Sequence, residues 1–282
     1  MLNNPLGYMA YLLLRNDIVW RLLSEKEKDS VIVSNKKFNV ERDDYANPQV
    51  YGAFRYEGGE NWDNFTLNSD DIRMNVLHKV LDGLRPESVL EIGPGAGFYT
   101  RCICEYDTVS QYAAVDIGDA FLEFLRPRLE VEKAKRKFQY DLIVGEITQT
   151  ALTGKFDLIV LLSTVHHIPN RVDLFKRLAD LLEDGGAIYC FDPSHYLPRI
   201  MGLLKKCVFN GHLKREFYLN NISTHDMCSL GEYRSIVKEL GNLKIENVWY
   251  KLPERLKTFS KLLHPVSLFS NQIGIVLRKI SG

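Results

Sequence analysis

From residue 88 to residue 191 short apolar runs alternate with amphipathic segments, and that alternation leaves few folds open. Ser88 to Ile92, Tyr112 to Ile117, Phe138 to Val144, Phe156 to Leu162 and Ala187 to Phe191 read as strands. Helical segments separate them: Phe98 to Tyr106, Asp119 to Leu129 and Asp173 to Leu182. Pro127 is expected to kink or end the second of these, because proline lacks the helical N–H. The fourth run is apolar almost throughout, as in a strand covered on both faces. Strands that alternate with helices predict a doubly wound, mostly parallel sheet, an α/β fold.

The loop after the first strand narrows the function. Val89-Leu90-Glu91-Ile92-Gly93-Pro94-Gly95-Ala96-Gly97 leaves a strand and opens a helix. Glycines there let the backbone turn tightly and approach a ligand without a Cβ in the way. Dinucleotide enzymes use a similar device, so the loop alone decides little. Two acids decide more. Glu91 stands two residues before the first glycine, a poor neighbour for a pyrophosphate but a good one for a cationic ammonium. Asp116 ends the next strand, 19 residues beyond Gly97, where a carboxylate can accept hydrogen bonds from ribose hydroxyls. A ligand with an ammonium at one end and a ribose at the other fits that pair. The plain alternatives are an ordinary strand–helix turn for the loop and a helix cap for Asp116.

At these residues the chain resembles the class I S-adenosylmethionine (SAM)-dependent methyltransferases. Glu91 to Gly97, with Gly93, Gly95 and Gly97, resembles the family's first motif, and Asp116 resembles its ribose-binding acid. Gly145-Glu146-Ile147 resembles the place where the family sets an acid near the adenine amino group, usually Asp rather than Glu. Phe156 to Val160 and Leu182 to Gly186 resemble the fourth strand and the turn before the fifth. The resemblance covers about residues 70 to 192. It implies a seven-stranded Rossmann-like sheet with its last strand antiparallel, SAM as cofactor and S-adenosylhomocysteine as product. It also implies cofactor contacts from Ile117, Ile147 and Ser163 at the same strand ends.

His166 and His167 follow the fourth strand, at the carboxyl edge where open α/β sheets bind ligands. A histidine there can take a proton from a hydroxyl or amine acceptor. It can equally shape the pocket or hold the loop. His195 and His225 are weaker candidates, and no residue set has the spacing of a metal site.

The remaining segments are read as additions to this core. Residues 1–69 form an N-terminal extension: a helix from Pro5 to about Ser24, a solvated charge run Glu25 to Asp29 at its end, and an irregular stretch Lys36 to Gly59. Tyr51, Tyr56 and Trp62 there could close over a ligand or simply pack. Residues 70–282 form the methyltransferase domain, opened by a helix Ile72 to Leu84. Within it, residues 193–228 make a lid or acceptor-binding insertion that includes a helix-like, basic stretch Ile200 to Phe209. Ser229 and Glu232 have capping-box spacing before a helix Gly231 to Leu240. Strands Lys244 to Tyr250 and Gln272 to Arg278 close the pattern, with an amphipathic segment Leu252 to Leu263 between them.

Charge and cysteine usage bear on partners. Lys plus Arg and Asp plus Glu number 36 each, a balance that disfavours a dedicated nucleic-acid surface. The five cysteines form no Cys-x-x-Cys pair and read as free thiols in a reducing cytosol. The apolar stretch Leu6 to Leu14 is too short to span a bilayer and lacks the flanks of a signal peptide, so a cytoplasmic protein is expected. Peripheral membrane contact through Ile200 to Phe209 stays open. So does the oligomeric state. The expected function is methyl transfer to an O or N atom of a small molecule, such as a natural product, sugar or lipid precursor. Methylation of RNA or protein, a non-catalytic SAM-binding module and an NAD-dependent oxidoreductase are the competing readings.

Overall fold

A computed structural model describes residues 23–41, 71–95, 97–194, 228–251 and 270–280. The expected helix from Pro5 to residue 22, Tyr51, Tyr56, Trp62, His195, His225, the stretch Ile200 to Phe209 and the segment Leu252 to Leu263 lie outside them.

The described elements run α1 Glu25–Glu41, α2 Ile72–Leu84, β1 Ser88–Ile92, α3 Phe98–Cys104, β2 Gln111–Asp116, α4 Asp119–Lys135, β3 Gln139–Val144 and β4 Phe156–Leu162. A 3-10 turn Val165–His167 follows, then α5 Arg171–Leu181, β5 Leu182–Pro193, α6 Leu230–Leu240, β6 Leu243–Lys251 and β7 Gln272–Lys279. The seven strands form one sheet in the order β3-β2-β1-β4-β5-β7-β6. Strands β1 to β5 pair in parallel, while β7 runs antiparallel to both β5 and β6. This is the expected seven-stranded Rossmann-like sheet.

Period-two alternation divides the strands between two cores. Val89, Tyr112, Ala114, Leu158, Val160, Tyr189 and Val276 point to the face covered by α2, α3 and α4. Leu90, Ala113, Val115, Ile159, Leu161, Ile188 and Ile275 point to the face covered by α5 and α6. Each such fully buried Leu, Ile or Val contributes about 1.5–3 kcal/mol of transfer free energy. The order β2-β1-β4 puts a topological switch point between β1 and β4, because the chain leaves β1 to one side and returns to the other. Their carboxyl ends, Ile92 and Leu162, therefore open a crevice.

The structure corrects three local expectations. Glu25 to Asp29 does not end a helix; it begins α1, which also takes up the first residues of the stretch expected to be irregular. Ser24 and Glu27 are spaced as a capping box, and the Glu27 carboxylate accepts from the Ser24 N–H at 2.8 Å and the Ser24 hydroxyl at 2.6 Å. Pro127 does not stop α4, which continues to Lys135. One turn earlier, the Arg128 guanidinium donates to the Phe124 carbonyl at 2.6 Å and stacks over the Phe124 ring at 3.7 Å, which supports the turn proline weakens. Residues 183–186 are not a free turn. They lie within β5 as a register irregularity, with Phe156 opposite Leu182 and Leu158 opposite Ala187.

Candidate active site

The crevice begins with a loop that only glycine can form. Gly93, Gly95 and Gly97 have φ of 67°, 54° and 82°, in the left-handed region that costs other residues about 1–2 kcal/mol each. Close approach adds a second demand at Gly93. A Cβ there would stand 2.8 Å from Thr164 Oγ1 and 2.9 Å from its Cγ2. The Thr164 hydroxyl donates to the Ile92 carbonyl at 3.1 Å, and the Gly93 N–H donates to Val115 at 2.8 Å. The tips of β1, β2 and β4 are thereby drawn together.

Glu91 lies beneath this loop rather than open in the crevice. It is 2 % exposed, and its Oε2 accepts from Tyr112 Oη at 2.6 Å and Thr100 Oγ1 at 2.7 Å. Burial pushes its carboxyl up to about 7, against the pull of the two hydroxyls, and the nearby charge of Asp116 adds to the rise. Any charge it lends to a ligand acts through the loop and not through an exposed oxygen.

Asp116 stands at the tip of β2, half-buried. Its Oδ1 accepts from the Gly118 N–H at 2.9 Å, and the N–H groups of Gly95 and Ile117 also point to the carboxylate. Burial pushes it up to about 6 despite those bonds. Asp116 thus meets the glycine loop through the Gly95 N–H, whereas Glu91 is held by Tyr112 and Thr100. At the next strand end the Gly145 N–H donates to the Asp116 carbonyl at 2.8 Å, joining the tips of β2 and β3. Glu146 accepts from the Thr148 N–H at 3.1 Å and from the Thr148 hydroxyl. Ile147 is 3 % exposed and belongs to the core, whereas Ile117 is half-buried.

Across the switch point, the end of β4 carries the histidines. Ser163 takes φ 60°, and its N–H donates to the Phe191 carbonyl at 2.8 Å. That left-handed turn starts the 3-10 segment on which His166 and His167 sit. His166 is 5 % exposed, and its Nδ1 lies 2.8 Å from Asp192 Oδ1. The same oxygen accepts from the His166 backbone N–H at 3.2 Å. His167 is more open; the two imidazole centroids are 4.0 Å apart. Asp192 is fully buried in β5, and burial pushes its carboxyl up to about 7. Beside it, Arg171 and Glu232 form a buried ion pair at 2.5 Å between α5 and α6.

Sequence reasoning missed Asp192, Arg171, Glu232, Thr164, Thr100 and Tyr112 as parts of this arrangement. Only Asp192 carried a usable signal: it is the first polar residue after the apolar run Ala187 to Phe191, as Asp116 is after its own strand. The others depend on which helix lies over which strand. Among the described residues no group of three or more His, Cys, Asp or Glu could hold a metal ion, and no helix is long and apolar enough to cross a membrane.

Comparison with known proteins agrees with this geometry. A methyltransferase domain model matches residues 90–188, from the end of β1 into β5. A ubiquinone biosynthesis O-methyltransferase of Acinetobacter baylyi is 22 % identical over 196 residues, covering 65 % of this chain and 81 % of that one. The matches to enzymes of the same name from Idiomarina loihiensis and Shewanella halifaxensis span only 47 % and 50 % of their length. Among solved structures, the magnesium protoporphyrin IX methyltransferase of Synechocystis, crystallised with S-adenosylhomocysteine, superposes with a TM-score of 0.57 at 15 % identity, covering 88 % of this chain and 99 % of that one. An S-adenosylmethionine-dependent methyltransferase of Clostridium acetobutylicum gives 0.54 at 14 % identity, covering 82 % and 99 %. The domain match, the strand order and the glycine loop agree: residues 90–188 match a methyltransferase domain, and the chain is similar in sequence and fold to SAM-dependent methyltransferases.

Proposed function

We propose that this enzyme transfers a methyl group from SAM to an oxygen or nitrogen of a small molecule bound over the carboxyl ends of β4 and β5. One observation carries the reading: a left-handed glycine loop is closed against Thr164 at the switch point, with Asp116 at the tip of the neighbouring strand. The residues fit SAM. The space a Cβ would fill at Gly93 is already taken by Thr164, so the loop is as close to β4 as it can be. The Asp116 carboxylate, after its bonds to the loop, keeps lone-pair capacity for a ribose hydroxyl. Gly93, Gly95, Gly97 and Asp116 would hold the ligand, with Ile117, Glu146, Ile147 and Ser163 along the adenosine path and Glu91 placing negative charge beneath the ammonium end.

When bound, SAM supplies a methyl carbon made electrophilic by the sulfonium charge, and S-adenosylhomocysteine is what remains. The chain's own task is alignment and exclusion of water. A hydroxyl acceptor must also lose a proton, and His166 and His167 are the groups proposed to take it. A neutral amine needs alignment alone. The names of the curated relatives favour an O-methyl acceptor, and the balanced charge favours a small molecule over nucleic acid. Residues 193–228 are proposed as the lid over that acceptor and residues 1–69 as a separate extension. Four buried free thiols, Cys102, Cys104, Cys190 and Cys228, suit a cytoplasmic setting.

The test is calorimetry with SAM, S-adenosylhomocysteine and NAD, followed by a methyl-transfer screen over soluble catechols, phenols and primary amines. Binding of the two sulfur nucleosides without NAD, and transfer to at least one acceptor class, is expected. Binding of NAD alone would overturn the reading.

A further inference from the structure

We infer that Asp192 is the positioning residue of the histidine pair: its buried carboxylate fixes which ring nitrogen of His166 carries the proton and supplies the countercharge when the pair accepts one. The inference rests on the methyl-transfer reading above and deepens it.

The geometry has three parts. Asp192 Oδ1 lies 2.8 Å from His166 Nδ1 and accepts the His166 backbone N–H at 3.2 Å, so one oxygen holds both the ring and the turn that carries it. The Val165 N–H also points to the carboxylate, but the other oxygen, Oδ2, is buried and makes no hydrogen bond of good geometry among the described residues. Leaving it so costs about 1–3 kcal/mol, which a turn-capping role does not require, since a serine or asparagine could accept the same N–H. Third, the His167 and His166 ring centroids lie 4.0 Å apart with the rings tilted by 40°, so charge on either imidazole is felt by both and by Asp192.

The surrounding groups leave Asp192 as the available countercharge. His166 and His167 face it from the 3-10 turn, and Arg171 from α5. Cys190 faces it from β5, Cys228 from the segment before α6, and Tyr233 from the first turn of α6. From β7 the residue opposite is the apolar Ile273. Arg171 is matched by Glu232 at 2.5 Å. A proton arriving on the histidines therefore forms an imidazolium whose nearest carboxylate is Asp192. In the reaction the acceptor's O–H bond breaks, its electron pair forms the bond to the methyl carbon, the carbon–sulfur pair stays on sulfur, and the proton goes to the histidine pair.

The experiment is a long-range 1H–15N spectrum of the histidine rings in the full-length, 15N-labelled protein, titrated from about pH 5 to about pH 9 with S-adenosylhomocysteine present. His166→Gln and His167→Gln assign the signals. Neutral His166 should carry its proton on Nδ1, and Asp192→Asn should lower its titration midpoint by about one pH unit or more, a tenfold loss of proton affinity. Affinity for S-adenosylhomocysteine should stay within about threefold, since Asp192 lies across the switch point from the glycine loop. A wild-type His166 protonated on Nε2, or a midpoint unmoved by Asp192→Asn, overturns the inference. If that variant does not fold, the wild-type ring proton alone decides. Failure of the wild type to bind the nucleoside would instead sink the function proposed above and leave the ring measurement interpretable.

Discussion

Replacing Glu91 with Gln should make the protein more stable above neutral pH while weakening its hold on SAM. Glu91 is 2 % exposed, and burial raises its carboxyl from an ordinary 4.5 to about 7. The difference of about 2.5 units is worth about 3 kcal/mol at about 1.4 kcal/mol per unit. The sign follows from proton counts. Between pH 4.5 and 7 the folded chain holds a proton on Glu91 that the unfolded chain has released, so stability falls as pH rises through that window. Below it both states are protonated and no penalty exists; above it the whole penalty is present. Gln keeps an oxygen for Tyr112 and Thr100 but carries no charge to desolvate. Its amide N–H groups need acceptors, which returns about 1 kcal/mol. Urea unfolding of both proteins at pH 5 and pH 8 is the assay. The stability of the variant relative to wild type should rise by about 2–3 kcal/mol between the two conditions. Asp116 and Asp192 have shifts in the same direction but are present in both proteins, so the comparison isolates Glu91. Parallel pH dependence in the two proteins would refute the reasoning. Calorimetry on the same samples should give a SAM affinity at least tenfold weaker in the variant, because the negative charge beneath the loop is gone.

Asp116→Ala, and separately Gly95→Val, should weaken SAM binding by about tenfold to a hundredfold, the worth of one or two charge-assisted hydrogen bonds, as read by calorimetry on folded variants. In the wild type, SAM affinity should fall as pH drops through about 6, where the buried Asp116 takes up a proton. Gly93→Ala forces a Cβ to 2.8 Å from Thr164 Oγ1 at φ 67°, and should lower the melting temperature by several degrees; adding Thr164→Ala should recover part of the loss, leaving the left-handed strain of about 1–2 kcal/mol. Glu232→Gln leaves the Arg171 guanidinium buried against a neutral partner and should cost about 3–5 kcal/mol in denaturant unfolding, whereas an exposed pair such as Arg126–Glu123 should cost little when broken.

Most of the sheet was legible because its signals are local. Val89 to Ile92 and Phe156 to Leu162 announce themselves as strands by runs that are apolar except for Glu91 and Asp157, and the glycines of 93–97 need a left-handed backbone that no other residue type accepts cheaply. Ser229 reads correctly as a cap, its side chain accepting from the Glu232 N–H at 3.1 Å. Glu232 itself illustrates the limit. Its capping-box spacing predicts a carboxylate turned back to the helix start, yet it is 3 % exposed and meets Arg171, 61 positions earlier in the chain. Spacing cannot tell that α5 and α6 lie side by side on the same sheet face. The opposite error occurred at Ser24 and Glu27, where capping-box spacing was present but the charge run invited a solvated ending. Sequence also placed both histidines at a strand end without separating them. Only the position of Asp192 at the end of β5 makes His166 the buried, tethered ring and leaves His167 the more open one.

The two halves of the crevice carry their negative charge in the same manner, and that similarity says why the carboxyl edge is costly to build. Glu91 and Asp116 lie under the β1–β2 side, Asp192 under the β4–β5 side, and burial pushes all three upward. Each therefore opposes folding near neutral pH. Under the proposed function, the charge on one side would lie near a cationic nucleoside, and on the other it lies beside rings that become cations on accepting a proton. A fold under selection for stability alone would replace such carboxylates with amides or apolar groups. Burial makes Glu91, Asp116 and Asp192 each lower stability near neutral pH, which is the signature the proposed function expects of residues whose compensation would come from a ligand and from a transferred proton.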